Sequence, residues 1–196
     1  MIDNKTINQI KEKALNSNIP IITDSGINYL MRYIKKNKIK KILEIGTAVG
    51  YSAIKMCSVD DDIFVTSIER DEKRYLEAIK NIKSVNLDNR ITLIYKDALD
   101  VKLSEKYDLI FIDAAKAQSI KFFEKFSVNL VNHGTIVTDN MNFHGLVQKK
   151  EEEISSRNLR QLVRKVKNYK DFLVNNNDYD TEFLEVGDGL AISIKK

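Results

Sequence analysis

The rhythm of apolar positions changes near residue 40. Before it, residues 4–17 and 24–36 space Ile, Leu and Ala three and four apart. This predicts two amphipathic helices, with Asp24-Ser25 available to cap the second. From Lys41 onward short, almost continuous apolar runs alternate with helical patterns. The runs are KILEI (41–45), IFVTSI (63–68), ITLIY (91–95), YDLIFI (107–112) and GTIVT (134–138), and the helical stretches are 49–58, 71–85, 118–130 and about 155–174. Unbroken apolar runs suit strands buried on both faces, and their alternation with helices predicts a parallel sheet with right-handed crossovers. Beyond the last helix, YDTEFLEV and LAISIK flank Gly187-Asp188-Gly189 and predict an antiparallel hairpin. The expected fold is a single α/β domain over 1–196. It is a doubly wound, Rossmann-like, mostly parallel sheet with a C-terminal antiparallel hairpin and two extra N-terminal helices.

Composition narrows the class. The chain has 196 residues and a net charge of +4, with one cysteine, one proline and no tryptophan. A lone Cys57, expected to be a buried inert thiol, cannot close an internal disulfide, which excludes a stapled secreted scaffold. The first residues mix acidic and basic side chains through their apolar positions, and no apolar run approaches the roughly 20 residues of a membrane span. A cytoplasmic protein with no membrane partner is expected.

The candidate chemistry begins after the first strand, in Glu44-Ile45-Gly46-Thr47-Ala48-Val49-Gly50-Tyr51-Ser52. Glycines in a strand-to-helix turn let a ligand approach the backbone, and the helix N-terminus offers free N–H groups. A dinucleotide fingerprint, G-x-G-x-x-G, would place glycine at 48 and 51, where Ala48 and Tyr51 stand. That disfavours an NAD-dependent oxidoreductase. The remaining E-x-G-x-x-x-G pattern is followed by Glu69 ending the second strand and Asp97-Ala98 after the third. Glu69 is placed to accept the hydroxyls of a ribose, Asp97 and Ala98 to flank an adenine, and Glu44 to hold a charged amino group. This constellation resembles the S-adenosylmethionine site of class I methyltransferases; a plain strand-to-helix turn is the simpler alternative.

Strand four ends in Asp113-Ala114-Ala115-Lys116 and strand five in Asp139-Asn140. In a parallel sheet both ends open on the edge that carries the Gly-rich turn. Two carboxylates and an amide oxygen, without His or Cys, suit Mg²⁺ or Mn²⁺ and not zinc. The alternative is that both aspartates merely cap the segments that follow them. Lys116 likewise has the ordinary reading of a solvated lysine at a strand end.

EIGTAVGYS, the Glu69 strand, DAAK, Asp139-Asn140 and the VGDG turn at 186–189 resemble, over essentially the whole chain, the cation-dependent O-methyltransferases of the catechol and caffeoyl-CoA type. The DAAKAQ…FFE run is most similar to a bacterial branch that methylates tRNA 5-hydroxyuridine at the wobble position. The resemblance implies a class I methyltransferase using S-adenosyl-L-methionine, with Mg²⁺ (or Mn²⁺) on Asp113, Asp139 and Asn140 and Lys116 beside the acceptor hydroxyl. It implies cofactor contacts from Gly46, Thr47, Ser52, Glu69, Ala98 and Asp113, and Gly50 belongs to the same motif. It also implies a homodimer and tRNA, not DNA, as partner. Three departures weaken a catechol or caffeoyl-CoA acceptor: Ala115 replaces the second acidic residue of the DADK form, Ser119 stands where an aromatic is often found three residues after the Lys, and MNFHGLV after Asn140 lacks tryptophan.

The charge is unevenly spread. Residues 32–41 and 157–170 each hold six Lys and Arg with no acid, leaving an acidic remainder. In the second cluster Arg157, Arg160, Arg164 and Lys167 fall on one helical face, opposite Leu159, Leu162, Val163, Val166 and Leu173. Such a stripe is placed to bind RNA phosphates, or is simply the solvated face of an amphipathic helix. His133, ahead of the fifth strand, is expected at the edge away from the site; His144, in the loop beyond Asn140, is placed to approach substrate or is simply a solvated loop histidine. A non-catalytic RNA-binding protein is disfavoured because the metal set and Lys116 are intact.

Overall fold

A computed structural model describes residues 4–196. Two helices, α1 (Asn4–Asn16) and α2 (Asp24–Lys36), precede the first strand β1 (Lys41–Ile45). There follow α3 (Tyr51–Cys57), β2 (Phe64–Glu69), α4 (Glu72–Ser84), β3 (Ile91–Tyr95), β4 (Tyr107–Ile112), α5 (Ser119–Ser127), β5 (Leu130–Thr138), α6 (Arg157–Val174), β6 (Tyr179–Leu184) and β7 (Leu190–Lys195). One seven-stranded sheet has the order β3-β2-β1-β4-β5-β7-β6. Its first five strands are parallel, and β7 runs antiparallel to both β5 and β6.

Alternation along each strand divides the core in two. Ile42, Val65, Leu109, Phe111, Val137 and Ile192 pack with α1, α2, α3 and Ile82 of α4. Leu43, Ile45, Ile68, Ile110, Ile112, Ile136 and Ala191 face Phe122, Phe123 and Phe126 of α5 and Val166, Tyr169 and Leu173 of α6. Both faces are covered, which is why these strands read as nearly continuous apolar runs. Tyr169 reaches through this second layer to Thr138 at the end of β5 (2.8 Å between hydroxyls). Cys57 is buried, its thiol donates to the Ile63 carbonyl, and burial pushes it up to about 11, so it stays protonated and inert at neutral pH.

Some boundaries depart from the sequence pattern. The cap of α2 is Thr23, whose hydroxyl accepts from Gly26 N, and not Asp24; Asp24 instead pairs with Lys11 of α1. Helix α5 stops at Ser127, because buried Asn129 turns its amide onto the Leu103 and Glu105 carbonyls and Leu130 already begins β5. His133, expected ahead of this strand, lies within it. It has φ 60° where the register jumps from Tyr107↔Leu130 to Leu109↔Thr135, a bulge that apolar periodicity does not reveal. Leu159, assigned to the apolar face of α6, is 36 % exposed, one turn before that helix meets the core at Val163. Among the described residues no helix is long and apolar enough to cross a membrane.

Candidate active site

The carboxyl ends of β1 to β5 open into a cavity of about 540 Å³. Its floor is the turn after β1. Gly46 has φ 101° and lies against the Asp113 backbone, and Gly46 N and Thr47 N both donate to the Ile68 carbonyl (3.0 and 3.2 Å). Ala48 takes a left-handed φ of 47°, held by donation of its N–H to Glu69 Oε2 (2.8 Å). The other Glu69 oxygen accepts from Arg70 N and Asp71 N (2.9 and 2.8 Å). Three of the four acceptor positions of this carboxylate are therefore used in shaping the turn, which leaves one on Oε2 for a ligand hydroxyl.

Gly46, Thr47, Ser52, Glu69, Asp97, Ala98 and Asp113 all line the cavity. Two residues expected to touch the cofactor do not line it. Glu44 is fully buried (0 % exposed), since its place in the strand directs it under α3. There it accepts from Ser52 (2.5 Å) and from Ser67, and Ser67 in turn meets Thr47 (2.5 Å between hydroxyls). Burial, only partly offset by these hydroxyls, pushes Glu44 up to about 8. Glu44 thus braces Ser52 and Thr47 from behind. Gly50 is the left-handed N-cap of α3, on the side where a Cβ would meet Ala78 and Ile82 of α4; it shapes the turn and does not line the cavity.

At the ends of β4 and β5 the cavity wall holds Asp113, Lys116 and Asn140. Lys116 donates to Asp113 Oδ1 at 3.1 Å. Asp139 lies just behind this wall, 2 % exposed, with Oδ1 accepting from Asn140 N (2.7 Å). Burial first, and then the Asp113 carboxylate, push Asp139 up to about 7, while Lys116 pulls the other way. Two acids close together in a low dielectric, with one lysine paired to Asp113, have a deficit of positive charge, which suits a cation. Asn140 commits its nitrogen to Asp188 (3.1 Å), and among the described residues its oxygen takes no hydrogen bond. Also among the described residues, no three His, Cys, Asp or Glu side chains group as a metal cage; the oxygen-bearing residues at these strand ends are two carboxylates and one amide. That set fits a hard divalent cation that keeps water or substrate oxygens in its remaining positions.

Several lining residues had no sequence signal assigned to them. Leu15, in the last turn of α1, and Ile19, Pro20, Ile21 and Ile22, between α1 and α2, form an apolar part of the lining. The signal was there: isoleucines flanking the only proline make an oddly apolar connection, which implies that it covers something. Arg70, paired with Asp97 (3.3 Å), and Arg74 border the other side. Gln118, Phe143, His144 and Asp188 also line it, and among the described residues Gln118 Oε1 is buried without a hydrogen-bond partner.

Helix α6 packs beside the turn at 116–118 that carries Lys116. Its basic face is partly used internally. Arg164 grips Glu151 through two bonds (2.7 and 2.5 Å), and Arg160 donates to the Ile154 carbonyl (2.6 Å). Arg157 is exposed and, among the described residues, has no ion-pair or hydrogen-bond partner. None of the three arginines lines the cavity.

A family model described as O-methyltransferase matches residues 3–196. The chain belongs to the O-methyltransferase family. It is an S-adenosylmethionine-dependent O-methyltransferase. A solved Staphylococcus aureus structure, provisionally assigned as a caffeoyl-CoA O-methyltransferase, is 42% identical with a TM-score of 0.92, covering 97% of this chain and 92% of that one. A caffeoyl-CoA O-methyltransferase of Stellaria longipes is 29% identical over 170 residues, 81% of this chain and 69% of its own length. The O-methyltransferase of Bacillus cereus in complex with SAH shares the fold, with a TM-score of 0.84 at 22% identity over 99% of this chain and 92% of that one.

Proposed function

We propose that this O-methyltransferase transfers the methyl of S-adenosylmethionine to the 5-hydroxyl of 5-hydroxyuridine at the tRNA wobble position, with Mg²⁺ (or Mn²⁺) bound. The observation that carries the reading is the placement of Asp113, Lys116 and Asn140 on a wall of the same cavity as the Gly46–Ala48 turn and Glu69. Cofactor and acceptor hydroxyl then share one enclosure, and holding sulfonium and oxygen in line removes much of the entropic barrier. The O–C bond forms as the C–S bond breaks, and sulfur keeps the electron pair. Asp113, Asp139 and Asn140 would hold the cation, which when bound supplies a lowered pKa for the acceptor hydroxyl. The hydroxyl proton leaves to solvent, and Lys116, which donates to Asp113 Oδ1, would stabilise the hydroxylate left behind. The tRNA acceptor is supported by the DAAKAQ…FFE resemblance and by the free Arg157 on a helix packed beside Lys116. Homodimerisation belongs to the same reading and rests on that resemblance alone.

A second reading, O-methylation of a small phenol or catechol, is favoured by the apolar share of the lining, Leu15, Ile19 and Ile21 with Phe143, which suits a planar ring. Methyl-transfer assays on tRNA bearing 5-hydroxyuridine beside a simple catechol, each with and without EDTA, separate the two. Turnover on tRNA that stops in EDTA is expected. Turnover confined to the catechol sinks the RNA acceptor, and full turnover in EDTA sinks the metal role.

A further inference from the structure

Asp188 lies at the turn of the β6–β7 hairpin, 8 % exposed, where the chain comes back to the loop that follows β5. Its two oxygens take different donors. Oδ1 accepts the backbone N–H of His144 (2.6 Å), and Oδ2 accepts Nδ2 of Asn140 (3.1 Å). The His144 ring stands nearby, with Nδ1 3.5 Å from Oδ2. Main-chain bonds reinforce the contact: Met141 N donates to Gly189 O (2.9 Å) and Asn142 N to Asp188 O (2.8 Å). A Cβ at Gly189 would lie 2.8 Å from Asn142 N, so only glycine lets the two backbones meet this closely.

The loop held in this way is strained. Asn140, Phe143 and His144 have φ of 60°, 46° and 55°, in the left-handed region that side chains disfavour. Such a conformation persists where surrounding contacts over-determine it. Asp188 supplies two of those contacts, one at each end of the strained stretch.

A carboxylate only accepts, so the Asn140 atom facing Asp188 must be the NH₂ group. The other end of the amide, Oδ1, is thereby turned away from Asp188. We propose that Asp188 is a positioning residue that fixes which end of the Asn140 amide is offered to a divalent cation. The assignment rests on the metal reading given above for Asp113, Asp139 and Asn140.

Asp188→Asn is nearly isosteric, but it replaces one acceptor with a donor. The His144 N–H belongs to the backbone and cannot turn, so the introduced oxygen stays with it and the introduced NH₂ faces Asn140. Asn140 then flips, and its oxygen is withdrawn from the cation. Asn140→Asp removes that conflict, because a carboxylate can accept from the introduced NH₂ and still offer its second oxygen.

The test is Mn²⁺ binding to the full chain, followed by the electron paramagnetic resonance signal of free Mn²⁺, with S-adenosylhomocysteine affinity measured by calorimetry. D188N is expected to weaken Mn²⁺ binding at least tenfold, as loss of an outer-shell partner does, while S-adenosylhomocysteine affinity stays within twofold. In an N140D background the same D188N change is expected to cause no loss. Equal Mn²⁺ affinity of wild type and D188N overturns the assignment, and so does an equal loss in both backgrounds, since a merely structural role is indifferent to residue 140. A wild type that binds no Mn²⁺ overturns the metal reading and this assignment with it. Should D188N fail to fold, ¹⁵N-labelled wild type answers the question: slow solvent exchange of the Asn140 side-chain amide protons supports it, and fast exchange overturns it.

Discussion

Gly46 lies so close to Asp113 that a Cβ at position 46 would overlap the Asp113 carbonyl oxygen. The first strand's turn and the fourth strand's end therefore meet backbone to backbone, and this contact brings the cofactor floor beside the Asp113 wall. Gly46→Ala must both clear that oxygen and adopt φ 101°. A loss of at least about 2 kcal/mol in stability is expected, together with weakened S-adenosylhomocysteine binding. Chemical denaturation and calorimetry check the two effects.

Glu44 titrates in the wrong direction for an ordinary carboxylate. Burial raises it from 4.5 to about 8 in the folded chain. Between those values the folded state holds a proton that the unfolded state has released, so stability falls as pH rises through this window and levels off above it. The slope is at most roughly 1.4 kcal/mol per pH unit. Glu44→Gln, neutral at every pH, should flatten this decline and be the more stable variant at pH 8. A wild-type melting temperature that rises from pH 5 to pH 8 by as much as that of the variant would contradict the assignment.

Glu69→Gln keeps the shape but turns an NH₂ group toward backbone N–H groups that the carboxylate now satisfies. The Ala48 turn should loosen and the ribose acceptor be lost. A tenfold or greater rise in the dissociation constant for S-adenosylhomocysteine is expected, on the order of 1.4 kcal/mol or more. Mn²⁺ binding should not move.

The arginines of α6 should differ in their effect on RNA. Arg157 is free, whereas Arg164 is already held by Glu151. Arg157→Glu should raise KM for a tRNA acceptor severalfold and leave S-adenosylmethionine binding unchanged; Arg164→Glu should do less. If both changes leave KM for tRNA as it was, the stripe is only a solvated face.

Removing the Tyr169 hydroxyl probes the layer behind the site. Tyr169→Phe leaves buried Thr138 without its partner. It should cost about 1 kcal/mol in denaturant unfolding, with turnover reduced little if Asp139 keeps its place.

The sheet was largely legible in the sequence, because burial on both faces writes itself as KILEI or YDLIFI. So were the cavity residues that end a strand or follow directly on one, Glu69 and Asp113 among them. What escaped was contact between segments distant in the chain. Nothing in local spacing ties Asp188 to Asn140 or brings Ile19–Ile22 over the Gly46 turn. Glu44 shows the converse: it carries the right motif, but the two-residue period of its strand puts it beneath α3. The basic stripe of α6 was visible as a pattern, but whether its charges were free depended on Glu151, which lies in an irregular turn.

Strand β7 is last in chain order but lies inside the sheet, between β5 and β6. As the chain emerges during synthesis, β5 remains an open edge until residues 190–195 arrive to pair with it. The loop after Asn140 gains its clamp at the same moment. The Asn140 side of the cavity therefore becomes organised after the Gly46 turn and Glu69, which pair within strands β1 to β4 already made.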